Sequence, residues 1–93
     1  MAINFKITEM FMSASPCYIK PDRITPRGVT THSTATPGAM HKNFYNTWNQ
    51  SGANAGVHYI IDDTGIYQLL PENRRSWHAG SPGNDNFFSY EIC

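Results

Sequence analysis

At 93 residues, with seven Lys plus Arg against seven Asp plus Glu, the chain is formally neutral and sized for one small domain with a thin core. That balance excludes a long-range field that would gather nucleic acid or an anionic membrane, so recognition must be local. No apolar run approaches a membrane span, the first residues lack the basic-then-apolar order of a secretion signal, and Cys17 and Cys93 are too few for a disulfide scaffold or a paired zinc motif.

Residues 1–27 read as an irregular lead-in to the first central strand, with prolines scattered from Ser15 onward. Gly28-Val29-Thr30-Thr31-His32 is β-branched and predicts a strand that delivers His32 to its C-terminal end. After a loop from Ser33 to Gly38, Thr36-Pro37 is a helix start, since Thr can cap free N–H groups and Pro at the first position loses no hydrogen bond. Met40, Phe44 and Trp48 recur every fourth residue, which predicts a helix from about Pro37 to Gln50, stopped near Gly52. Val57 to Ile61 and Ile66 to Leu70 flank Asp62-Asp63-Thr64-Gly65 and predict a hairpin. Phe87 to Ile92 is the last strand. The order β, α, ββ, β gives an α/β domain, a mixed central sheet with a helix on its face.

Four histidines carry the candidate chemistry, because neutral imidazole is the protein's usual zinc ligand and a catalytic site uses about three protein ligands plus an open position. None of His32, His41, His58 and His78 sits in a close pair, so spacing alone identifies no metal site. His41, one turn from Tyr45, reads as a surface residue, and His58, alternating with Val57 and Tyr59, as a buried support. Glu91 alternates with Tyr90 and Ile92, so on a strand it points away from them, either as a cleft carboxylate that moves protons or as a solvated one. Trp77 offers an apolar face with His78 and small residues beside it, which suits either a sugar and peptide groove or simple packing.

Thr31-His32-Ser33-Thr34-Ala35, Val57 to Leu70, Trp77-His78-Ala79-Gly80 and Ser89-Tyr90-Glu91-Ile92-Cys93, in that order across residues 28–93, resemble the zinc-dependent N-acetylmuramoyl-L-alanine amidases of phage endolysins, whose fold the peptidoglycan recognition proteins share. The resemblance implies hydrolysis of the amide between N-acetylmuramic acid and L-alanine by a zinc-activated water, with bacterial peptidoglycan as partner. It implies His32 as a zinc ligand, Glu91 as the general base, and Trp77, His78, Ala79 and Gly80 along the substrate groove. Phe88-Ser89-Tyr90 departs from the family's usual Ser-Ile-Gly before the Glu. The family's remaining ligands, a His and then a Cys or Asp, follow a further helix and loop, together with a Lys or Thr that stabilises the transition state. Residues 1–93 are therefore expected to be a partial catalytic domain lacking its C-terminal part. Such a domain would be inactive alone, with a complementing C-terminal segment or further copies of itself, as a homo-oligomer, for partners. It would be made in the cytoplasm and act on the wall after release. A non-catalytic peptidoglycan-binding module of the same fold is the alternative, and an unrelated small α/β protein is the third reading.

Overall fold

The structure, a computed structural model describing residues 6–20, 23–34, 38–53, 55–77 and 83–93, is built on a five-stranded mixed sheet in the order β1-β4-β3-β5-β2. Its elements are β1 (Ile7–Glu9), α1 (Pro16–Ile19), β2 (Gly28–Ser33), α2 (His41–Trp48), β3 (Tyr59–Asp62), β4 (Gly65–Gln68), α3 (Gly83–Asn86) and β5 (Phe87–Ile92). Strands β2, β5 and β3 run parallel, β4 returns antiparallel to β3, and β1 lies parallel to β4. The mixed α/β architecture is the expected one. The predicted hairpin forms with Asp62 paired to Gly65, and Gly65 takes a φ of 152°, a conformation open to glycine at little cost. The Asp62 carboxylate accepts the Thr64 backbone N–H at 2.8 Å, which closes the turn.

Because side chains alternate along a strand, the register sorts the sheet into two faces. One carries His32, Glu91, Ile60 and Tyr67, directly opposite one another across four strands, with His58, Asp62 and Ser89 two residues up or down. This face holds the core: Ile60 and Leu69 are fully buried and join Met12, Cys17, Val57 and Leu70, with Phe44 and Trp48 of α2 packed against them. The other face carries Val29, Ile61, Ile66, Phe88 and Ile92, all at least partly exposed.

Three sequence expectations need correction. The lead-in is part of the fold: β1 pairs with β4, and the short α1, capped by the buried Ser15 hydroxyl accepting from the Cys17 N–H, places Cys17 in the core. The helix is shorter than the Met40-Phe44-Trp48 stripe suggests. It begins at His41, with Met40 as the cap residue whose N–H is accepted by the Asn43 side chain at 2.8 Å, and the expected start at Thr36-Pro37 lies outside the described residues. And β2, read as a central strand, is an edge strand.

His58 ties the sheet to the following loop. It is fully buried; its Nδ1 accepts the Ser89 N–H at 3.1 Å and its Nε2 lies 2.7 Å from the Arg74 carbonyl oxygen. A backbone N–H only donates, so Nδ1 must accept and Nε2 carries the proton to Arg74, which fixes the neutral tautomer. Both nitrogens are used, so this ring supports β5 and binds no metal. His58→Ala should leave a cavity, an orphaned N–H and an orphaned carbonyl, at a cost of about 3–5 kcal/mol. For so small a domain that removes most of the folding free energy, and loss of a cooperative urea transition would show it.

Candidate functional site

Parallel β2 and β5 place His32 and Glu91 as direct Cα partners, so both side chains leave the same face on neighbouring strands. Each sits one residue before its strand ends, at the carboxyl end of a parallel β3-β5-β2 unit, the end at which open α/β sheets bind their ligands. Both are half-buried. Burial pushes the Glu91 carboxyl above its ordinary pKa, and the neighbouring His32 charge pulls the other way. A carboxyl with a raised proton affinity beside an imidazole can take and return a proton. Ser33 and Thr34 continue the contact, the Thr34 N–H donating to the Ile92 carbonyl at 3.1 Å.

A second polar cluster lies on the same face, one strand further on. Asp62 Oδ2 accepts both the His41 backbone N–H at 2.9 Å and His41 Nδ1 at 2.7 Å, so one carboxylate caps the start of α2 and orients its first ring. That ring stacks on Tyr67 with centroids 3.5 Å apart and planes 7° apart, and the Tyr67 hydroxyl is 2.7 Å from the Thr64 hydroxyl. His41 is therefore buried, against the surface role expected for it. The turn motif around Asp62 was readable in sequence, but its contact 21 residues away had no local signal. Burial alone would raise the Asp62 carboxyl; hydrogen bonds from the Thr64 side chain and from His41 outweigh it and hold the group well below the usual carboxylate range. A depressed folded pKa contributes stability that is complete above the unfolded value, about pH 4, and is lost as pH falls below it. Asp62→Asn should lower stability at neutral pH by about 2–3 kcal/mol and flatten the loss between about pH 4 and pH 2, read from urea midpoints across that range.

Trp77 is not brought to the His32 and Glu91 end. Its backbone pairs with Gly56, ahead of β3, its ring packs against the core, and Lys20 Nζ sits 5.1 Å from the ring centroid. His78, Ala79 and Gly80, the rest of the expected groove, lie outside the described residues.

For a metal, His32 is a half-buried imidazole facing a carboxylate, which fits one zinc ligand. Among the described residues no group of three or more His, Cys, Asp or Glu side chains converges to hold an ion. Cys93 is exposed, and partial desolvation together with the nearby Asp62 and Glu91 charges raises its thiol pKa.

Known proteins share this fold and much of this sequence. The chain is 35% identical over 78 residues to the N-acetylmuramoyl-L-alanine amidase XlyA of Bacillus subtilis and 37% identical over 79 residues to CwlH of the same organism, each match covering 75% of this chain but 25% and 30% of those proteins. A mutant endolysin from Bacillus subtilis superposes with a TM-score of 0.83 at 28% identity, over 97% of this chain and 62% of its own. The catalytic domain of XlyA superposes with a TM-score of 0.79 at 32% identity, over 95% of this chain and 61% of its own. The chain thus spans about three fifths of these solved chains and a smaller share of the full proteins. A family model described as N-acetylmuramoyl-L-alanine amidase matches residues 22–93, and the chain belongs to that family.

Proposed function

We propose that this chain forms the part of a peptidoglycan amidase that carries the first zinc ligand, His32, and the proton-transfer group, Glu91, for cleavage of the bond between N-acetylmuramic acid and L-alanine. The observation that carries the reading is the cross-strand pairing of His32 with Glu91 on one face, at the carboxyl end of a parallel unit. In this scheme Glu91 takes a proton from the attacking water and returns it to the departing L-alanine nitrogen, so the C–N bond breaks as a C–O bond forms and no net proton is left on the carboxyl. The raised proton affinity of the half-buried Glu91 suits that exchange. His32 would hold zinc through a ring nitrogen, and the metal, when bound, supplies Lewis-acid polarisation of the carbonyl. The other ligands come from outside residues 1–93, in a complementing segment of the same or another chain. Trp77 serves as a packing residue, its ring covered on one side by Lys20. Action on the cell wall follows release of a protein made in the cytoplasm.

The test uses a joined protein in which the part of the XlyA catalytic domain beyond the aligned region follows Cys93. Digestion of purified peptidoglycan should release new L-alanine amino termini without new reducing ends. Reducing ends without amines would overturn the amidase reading, and tight binding with neither product would favour the non-catalytic module.

A further inference from the structure

One nitrogen of His41 is left over once the ring has been anchored. The side chain is 9% exposed, and its Nδ1 donates to Asp62 Oδ2, which also receives the His41 backbone N–H. Asp62 Oδ1 takes the Thr64 N–H and hydroxyl, so both oxygens accept and the carboxyl is ionised. In the neutral ring the single proton is therefore on Nδ1, and Nε2 carries a lone pair. Stacking on Tyr67 holds the plane of the ring, and the Asp62 bond fixes its rotation. Among the described residues Nε2 has no hydrogen-bond partner. A buried acceptor without a donor is uncommon and calls for a function.

We propose that His41 is a substrate-binding residue whose Nε2 accepts a hydrogen bond from a backbone N–H of the peptide that follows L-alanine; the proposal rests on the amidase reading for the identity of that ligand. The place suits it. Asp62 lies two residues beyond Ile60, the Cα partner of Glu91, and on the same face. Strand spacing and rise put the Asp62 and Glu91 Cα atoms about 8 Å apart. Both carboxylates act on the Cys93 thiol, so the two clusters share that end of the sheet. An extended peptide covers such a distance in roughly two or three residues, so a chain leaving the bond at Glu91 brings its first N–H groups to His41. The chemistry then selects among the groups the substrate offers. A sugar hydroxyl can donate or accept and needs no locked tautomer, and a carboxylate would meet a lone pair beside the ionised Asp62. An amide N–H only donates, and a ring held as an acceptor is its complement.

The experiment measures Kd on the joined protein carrying Glu91→Gln, so that the ligand is not consumed. It compares N-acetylmuramic acid bearing a tripeptide with N-acetylmuramoyl-L-alanine methyl ester, which has no N–H beyond that of L-alanine. Adding His41→Asn keeps a donor for Asp62 at the δ position and removes the acceptor. It should raise Kd for the tripeptide ligand about 10-fold and leave Kd for the ester unchanged. Lys42→Ala, on the exposed side of α2, should change neither. Equal losses for both ligands, no loss for either, or no binding of the tripeptide ligand by the parent would each overturn the proposal. A ligand-side change covers the case in which His41→Asn fails to fold. A tripeptide methylated on each nitrogen beyond L-alanine should bind the parent no better than the ester does, and binding as tight as the unmethylated ligand would overturn the proposal. Amine release with Glu91 intact is scored separately. The expected Kd pattern without amine release keeps the His41 contact and loses the catalytic reading.

Discussion

Glu91→Gln should lower the kcat of the joined protein by about 100- to 10,000-fold while leaving zinc content and Tm unchanged. Gln keeps the shape and the hydrogen-bonding edge of Glu but cannot accept a proton at neutral pH, so only the proton transfer is removed. The half-buried carboxyl raises its own pKa through desolvation, and an amide at that position relieves the same cost, so stability should hold or rise slightly. A variant that keeps full turnover would remove Glu91 from the mechanism and return it to the solvated carboxylate that its sequence position also allowed. Loss of activity together with loss of zinc would instead make Glu91 part of the metal site.

His32→Ala should strip the zinc. A lost ligand should cost more than the 10- to 100-fold in affinity typical of losing a residue that merely orients a ligand. Amine release should fall to background with it. The apoprotein should melt as before, because His32 is half-buried on an edge strand and anchors little of the core. His41, a surface residue on sequence grounds, is buried against Tyr67 and bound to Asp62, so the neutral comparison is Lys42→Ala on the exposed side of α2. Stoichiometric zinc in His32→Ala would end the ligand assignment.

What could be read from sequence was what local pattern controls. Alternation placed Glu91 opposite its neighbours, β-branched runs marked β2 and the hairpin, and the Gly65 turn followed from its residues. What escaped depends on contacts between distant segments. The Ile7–Glu9 strand is three residues long and exposed throughout, too short to show a period, and it exists because β4 offers an edge. The edge position of β2 is set by which strand pairs with β5, and composition does not encode that choice. Helix α2 begins at His41, later than the expected start at Pro37, and its first N–H is held by Asp62 on β3 beneath it, a contact 21 residues away with no local signal. The pairing of His32 with Glu91 was implied only by family resemblance. The register supplied its geometry.

Zinc content measured by elemental analysis on the chain alone and on the joined protein, after dialysis against a weak chelator, tests most directly whether these residues are one part of a shared metal site. The account predicts well below one zinc per molecule for the chain alone and one per molecule for the joined protein, since among the described residues His32 has no second and third ligand converging on it. One tightly held zinc on a cooperatively melting chain of 93 residues would contradict it, because all ligands would then have to come from within this sequence.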